Sequence, residues 1–178
     1  MKQSVLSMLK RQSFALLLTG VIFGISLFGF VPTASASISS GSAVIASLFS
    51  FSGTRPTNLG VEQGKLAPCP NTPNCVSSQS IDPQHQIEPF TVQNDPKLAF
   101  EQIKTILENT ENAAIITAEP DYIYAEFTSP IMGFVDDVEF YLDEPENLIQ
   151  VRSASRLGES DLGVNRKRIE AIRAEFDL

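Results

Sequence analysis

Two neighbouring stretches decide the fold: Phe134-Val-Asp-Asp-Val-Glu-Phe-Tyr-Leu142 and Leu148-Ile-Gln-Val-Arg-Ser-Ala-Ser-Arg156. Apolar and polar residues alternate in both, which is typical of strands with one face in a hydrophobic core. The residues between them, 143–147, are rich in turn-forming types. The sequence therefore predicts an antiparallel hairpin.

The alternation places most charges of this hairpin on one face. The apolar faces of the two strands coincide only if odd positions of one pair with even positions of the other. Arg152 then lies opposite Asp137 or, if the connection is two residues longer, opposite Glu139. We expect this face to be exposed to solvent, with cross-strand ion pairs contributing about 0.2 to 1 kcal/mol each.

Asp136 is the exception, because the alternation places it with Phe134, Val138 and Phe140 on the apolar face. A carboxylate there is costly unless an arginine or several donors satisfy it. Arg156 points from the opposite face. We therefore expect the partner of Asp136 to come from the start of the last helix, as Arg166 or Arg168.

Local residue patterns predict the other strands and the helices. A first strand is predicted over 85–92 and further strands over 113–118 and 122–128. Asp95 and Pro96 predict the start of a helix that runs through Asn109 with an apolar stripe of Leu98, Ala99, Ile103, Ile106 and Leu107. A second helix is predicted over 166–176. The expected fold is α+β, a two-layer sandwich of an antiparallel sheet of about four to five strands with two helices on one face.

The N-terminal region predicts export. Residues 1–36 contain three basic and no acidic residues, an apolar run of eighteen residues at 14–31, and Ala34-Ser35-Ala36, which together indicate a cleaved signal peptide. The run is also near the minimum length of a membrane span, so an uncleaved N-terminal anchor is the alternative. A flexible tether over 37–64 and a single globular domain over 65–178 are expected to follow.

The charge of the chain disfavours nucleic acid as a partner. The net charge is −8, and cleavage after Ala36 would change it to −11, because the removed segment carries three positive charges. An acidic domain repels the phosphate backbone. The tether contains an apolar patch at 43–51, which is too short to span a bilayer.

Cys69 and Cys75 are the only cysteines. In an exported chain such a pair indicates a disulfide. Zinc is disfavoured because two cysteines and one histidine do not complete a site of four ligands. A Cys75 nucleophile assisted by His85 would need a reduced thiol, and we expect His85 to be exposed. The prolines of 66–80 predict an irregular loop around the pair.

Several motifs resemble a known family, the domain of unknown function 1499. They are Pro68-Cys69-Pro70, Pro73-Asn74-Cys75-Val76-Ser77-Ser78, Gly133 to Phe140, Val151 to Arg156, and Ser160 to Arg166. The resemblance covers about 66–176. It implies a small domain of bacteria and plastids that is often exported or membrane-associated, and it assigns no catalytic residue.

Two function classes fit these features. The first is a non-catalytic accessory or ligand-binding domain of the periplasm or thylakoid lumen. The second is a hydrolase-like enzyme in which carboxylates act as acid or base beside serines, while arginines hold an anionic substrate. One set of residues serves either as a candidate ligand site or as a structural network: Asp136, Asp137, Glu139, Arg152, Ser153, Ser155, Arg156, Asp161, Asn165 and Arg166.

A cation site at Asp136, Asp137 and Glu139 is disfavoured, because successive strand residues point to opposite faces. No cofactor is expected. The expected partner is an unknown protein or a small anionic ligand, with membrane association possible through the N-terminal segment.

Overall fold

The computed structural model of the protein describes residues 51–177. The predicted signal peptide and the first part of the predicted tether lie outside these residues. In chain order the elements are β1 Cys75–Ser77, β2 Phe90–Thr91, α1 Pro96–Glu108, β3 Ala113–Ala118, β4 Tyr122–Thr128, β5 Val135–Asp143, a 3-10 turn Glu144–Glu146, β6 Leu148–Ser155 and α2 Val164–Phe176. Neither described helix is long and apolar enough to cross a membrane.

The strands form one antiparallel sheet in the order β1-β6-β5-β4-β3, and β2 pairs with β6 as well. β1 pairs with residues 152–154 of β6 and β2 with residues 148–149, so both short strands lie along the outer edge of β6. The predicted α+β fold is confirmed, with six strands. The predicted bounds of β3 and β4 are also confirmed.

The central hairpin has the register that places Glu139 opposite Arg152. Odd positions of β5 pair with even positions of β6 throughout, as predicted from the two apolar faces. Asn147 closes the turn in the left-handed conformation, with φ 53°. Asparagine tolerates this conformation better than most residues.

The core lies between one face of the sheet and the two helices. Val138, Phe140 and Val151 of the hairpin are fully buried there against residues of both helices. In α1 the prediction for Leu98 was wrong, since it is 71% exposed and Phe100 is buried instead. Phe100, Ile103 and Leu107 follow the helical spacing of three and four residues, whereas Leu98 lies on the opposite side.

Two predictions for the region before α1 were wrong. Cys75–Ser77 is a strand within the predicted irregular loop, because these three residues contain no proline and pair with the edge of β6. The strand predicted over 85–92 is limited to Phe90–Thr91. His85 and Gln86 both donate backbone hydrogen bonds to Asp82 O, at 3.0 and 2.8 Å, so they form a turn instead.

Candidate functional site

The charged residues that were predicted as site residues in the hairpin belong to two separate networks, one on each face of the sheet. The inner network lies on the helix side and comprises Asn74, Asp136, Ser153, Ser155, Asp161, Asn165 and Arg168. The outer network lies on the opposite face and comprises Arg55, Tyr122, Tyr124, Glu126, Asp137, Glu139, Arg152 and Arg156. The predicted site residues are therefore divided by the sheet.

Asp136 is buried and pairs with Arg168, which confirms the prediction of a partner from the last helix. The guanidinium of Arg168 also donates to Ser153 Oγ at 3.0 Å and to Asn165 Oδ1 at 2.6 Å. Its Cζ lies 4.7 Å from the centre of the Phe127 ring. A planar group with several donors suits this position, because one side chain satisfies three acceptors and packs on an aromatic face.

Asn165 is the centre of the inner network and is fully buried. Its Oδ1 accepts from Ser153 Oγ at 2.6 Å, and its Nδ2 lies 3.0 Å from both the Asn74 carbonyl and Ser155 Oγ. One amide thereby joins α2 to β6 and to the residue before β1. Buried polar groups are stable only when paired in this way.

Asp161 lies two residues before Gly163, the N-cap of α2. Its carboxylate accepts from the backbone N–H groups of Gly163 at 2.9 Å and Asn165 at 2.8 Å, and from Asn165 Nδ2 at 2.9 Å. Partial burial alone would raise the pKa of Asp161, but these hydrogen bonds outweigh it and lower the pKa. An acid held ionised by helix amides is a poor proton donor.

In the outer network, Arg156 forms a two-point pair with Asp137, with Nε 2.9 Å from Oδ2 and Nη2 2.7 Å from Oδ1. Nη2 also contacts Glu126 and lies 3.0 Å from the Tyr124 hydroxyl oxygen. Tyr124 in turn donates to Asp137 Oδ1 at 2.6 Å. The hydrogen bond to Asp137 is the main reason that the pKa of Arg156 is raised.

Glu139 is fully buried and accepts three hydrogen bonds. The donors are the Tyr122 hydroxyl at 2.9 Å, the backbone N–H of Gly60 at 2.8 Å and Arg152 Nη1 at 3.2 Å. Within residues 51–177, Arg152 Nε is the one buried side-chain nitrogen or oxygen with no hydrogen-bond partner. The Glu139–Arg152 pair is therefore a buried ion pair and not a solvent-exposed cross-strand pair.

The prediction that this face is exposed was wrong. Asp137, Glu139 and Arg152 are only 1%, 0% and 7% exposed. They are covered because residues 51–66 cross this face, where Arg55 Nε donates to Glu126 Oε1 at 2.6 Å in addition to the Gly60 contact. The described part of the predicted tether thus contacts the sheet.

Burial also affects the pKa values of Tyr122, Tyr124 and Glu126. Burial and the neighbouring carboxylates raise the pKa of both Tyr122 and Tyr124, so their hydroxyls remain donors. Burial would raise the pKa of Glu126 too, but hydrogen bonds from Arg55, Arg156 and Tyr124 outweigh it and lower the pKa to about 2. The outer network contains three carboxylates and three arginines, so their formal charges cancel.

Arg166 belongs to neither network and donates to the Gln84 carbonyl at 3.2 Å. The prediction that His85 is exposed was also wrong. His85 is buried, with Nδ1 2.9 Å from Asp82 Oδ2 and Nε2 3.1 Å from the Thr72 carbonyl. A turn that folds back on the cysteine loop encloses the ring.

The predicted disulfide between Cys69 and Cys75 is confirmed, with the two Cα atoms 5.7 Å apart. A bonded Cys75 has no thiol to act as a nucleophile. In the part of the chain that the structure describes, no three histidine, cysteine or acidic side chains lie close enough together to hold a metal ion.

A large open cleft lies beside the disulfide, and none of the side chains of the two networks lines it. This cleft has a volume of about 1040 Å³ and is bounded by the segment 57–71 and by residues 77–85. Its wall carries uncharged polar side chains: Asn58, Gln63, Asn71 and Gln79. A second depression of about 660 Å³, lined partly by Tyr122, Tyr124 and Tyr141, lies on the other side of the segment 57–61.

Sequence reasoning missed Tyr122, Tyr124, Glu126 and Arg55 as members of the outer network and Asn74 as a member of the inner network. Tyr122 and Tyr124 alternate onto the same sheet face as the hairpin charges, a signal that was present in β4. No comparable signal identified Arg55, because a contact between residues 55 and 126 depends on the path of an irregular segment.

The fold and the two networks define a small α+β domain whose charged motif residues are buried and mutually paired. The chain belongs to the family described as "Protein of unknown function (DUF1499)", whose family model matches residues 65–176. This confirms the resemblance. No curated protein matches the chain.

Proposed function

We propose that this domain is an exported accessory domain that binds a small, uncharged polar ligand in the cleft beside the disulfide. One observation carries the proposal: the motif carboxylates and arginines satisfy one another in buried networks, while none of them lines the cleft of about 1040 Å³ beside the disulfide. Their positions fit a structural role better than one in acid–base chemistry.

The pairings disfavour the alternative of a hydrolase. Asp137 is held by Arg156, Asp136 by Arg168, and Asp161 by helix amides. Ser153 already donates its hydroxyl to Asn165 Oδ1 at 2.6 Å. A hydrolase would need a serine with a neighbouring free base and an accessible acid.

The wall chemistry of the cleft supports an uncharged ligand. A small anionic ligand would need unpaired cations, and Arg152 and Arg156 are engaged with carboxylates. The charged residues of the cleft are of both signs: Glu62, Lys65 and Asp82. A volume of about 1040 Å³ is near the upper end of ordinary small-molecule sites, about 300 to 1000 Å³.

Export to the periplasm or thylakoid lumen is part of the proposal. The signal-like sequence of residues 1–36 supports it. The disulfide supports it as well, because such bonds persist in oxidising compartments.

Ligand-observed NMR with a library of uncharged polar compounds tests the proposal. The design compares Asn71→Trp, which places a large ring on the cleft wall, with Asn112→Trp, which changes another exposed asparagine outside the cleft. We expect binding to the natural chain to be lost in Asn71→Trp and kept in Asn112→Trp. Binding that survives Asn71→Trp, or a library without any saturable binder, would contradict a ligand site in this cleft.

A panel of chromogenic ester, phosphate and glycoside substrates tests the hydrolase alternative. The accessory-domain proposal predicts no turnover above a buffer blank. Turnover that falls on Asp161→Asn substitution would overturn the proposal.

A further inference from the structure

One end of the domain carries a cluster of exposed apolar side chains, here called the end patch: Phe51, Ile131, Met132, Phe134 and Leu157. The Phe51 ring stacks on Phe134 with the ring centres 5.3 Å apart. The Phe51 backbone N–H donates to the Met132 carbonyl at 3.2 Å. Gly53 lies against Leu157, whose Cγ would be 3.1 Å from a Cβ at residue 53. The patch is therefore contiguous.

The turn that carries Ile131 is well braced. Ser129 N–H donates to the Phe134 carbonyl at 2.8 Å, and Gly133 N–H donates to the Ser129 carbonyl at 3.1 Å. Phe134 N–H donates to Ser129 Oγ at 2.9 Å. Ile131 is nevertheless 91% exposed at the tip. Unlike a single exposed residue, Ile131 belongs to a contiguous apolar cluster, and such clusters on soluble domains mark contact surfaces.

The segments that form the patch carry no charged side chain, and Arg156 beside them is paired with Asp137 and Glu126. None of the residues 51–54, 129–134 and 157–158 is charged, although the chain as a whole has a net charge of −8. A surface of this kind offers no ion pair to a charged partner. It suits an apolar layer beneath uncharged headgroups, since an acidic domain is repelled by anionic lipids.

The position of the patch in the chain identifies the contact. The fifty residues before Phe51 include the apolar segments 14–31 and 43–50, and Phe51 of the patch directly follows the second segment. The end of the domain that is joined to the apolar segments is thus also the end with exposed apolar side chains. Covalent attachment keeps the patch close to any membrane that these segments meet.

We propose that the end patch rests in the surface of a bilayer of uncharged lipids, with Ile131 as the most deeply inserted side chain. This orientation concerns a surface of the folded domain. It is independent of the proposed ligand cleft, and after cleavage at Ala36 the apolar segment 43–50 would still precede the patch.

The absence of tryptophan from the chain allows a direct test. Ile131→Trp places a single reporter on the patch, and Ile81→Trp places one on an isoleucine that is 98% exposed elsewhere. Each full-length variant is mixed with phosphatidylcholine vesicles whose acyl chains are brominated. We expect a blue shift and loss of emission for Ile131→Trp on the vesicles, and neither change for Ile81→Trp.

Three results would overturn the proposal. The first is emission from vesicle-bound Ile131→Trp that is neither shifted nor quenched. The second is equal quenching of both reporters, which would show contact without orientation. The third is an emission of Ile131→Trp that is already blue-shifted in buffer and unchanged by vesicles, which would show that protein covers the patch.

Discussion

Asp136 and Asp137 are neighbours in the chain, yet their carboxylates lie on opposite faces of the sheet, and each pairs with its own arginine, Arg168 and Arg156. Both carboxylates are buried. Arg168 comes from α2 and Arg156 from the end of β6. Asp136 thus links β5 to α2 on one face of the sheet. On the other face, Asp137 links β5 to Arg156, which also contacts the segment 51–66.

Lowering the pH should destabilise the folded domain, because Glu126 then becomes protonated. Burial opposes ionisation, but hydrogen bonds from Arg55 and Arg156 hold the pKa at about 2, below its ordinary value of 4.5. Because the pKa is lower in the folded state, the stabilisation is fully present above about pH 4.5 and is lost as the pH falls toward about 2. Urea unfolding across this interval should show a steeper loss for the natural chain than for Glu126→Gln.

The control for this measurement is Glu119→Gln, an exposed position. Its unfolding curve should follow that of the natural chain. Parallel pH dependence for the natural chain and Glu126→Gln would show that the arginine contacts of Glu126 do not stabilise the folded state.

Replacing Asn165 by alanine should lower the free energy of unfolding strongly, although it removes few atoms. The substitution removes the acceptor of the Ser153 hydroxyl, and it takes one hydrogen bond each from Arg168 and the Asn74 carbonyl in a buried site. Unpaired buried polar groups cost about 1 to 3 kcal/mol each, so we expect a loss of about 3 kcal/mol in the free energy of unfolding. Asn112→Ala, at an exposed position, should cost less than about 0.5 kcal/mol. Equal losses in urea denaturation would rule out a central role for Asn165.

The disulfide should contribute modestly to stability. The bond joins residues six positions apart, and closing so short a loop stabilises by about 2 kcal/mol in the chain-entropy model. The variant Cys69→Ser with Cys75→Ser should unfold at a lower urea midpoint. The natural chain should move to that midpoint when a reductant is added. A midpoint that reductant leaves unchanged would mean that the bond does not stabilise the fold.

Much of the fold could be predicted from local sequence patterns. Alternation gave β3, β4 and the central hairpin, and Asp95 followed by Pro96 gave the start of α1. The pairing of Asp136 with the last helix followed from one carboxylate on an apolar face. These predictions hold because periodicity and the cost of a buried charge are properties of the residues themselves.

The prediction that the outer face of the sheet is exposed to solvent was wrong for a physical reason. Alternation shows that Asp137, Glu139 and Arg152 share a face, but not what lies over it. That depends on the path of residues 51–66, which contain no periodic pattern. His85 was misplaced for the same reason, since a turn of irregular backbone encloses it.

The central claim is that the charged motif residues on both faces of the sheet serve the fold. The most direct test compares the free energies of unfolding in urea of Asp137→Ala and Asp136→Ala with that of Asp121→Ala, whose side chain is exposed. Removing one member of a buried ion pair costs about 3 to 5 kcal/mol, whereas an exposed carboxylate contributes less than about 1. We predict large losses for Asp137→Ala and Asp136→Ala and a small loss for Asp121→Ala. A loss for Asp137→Ala as small as that for Asp121→Ala would contradict the account and would leave Asp137 free for another role.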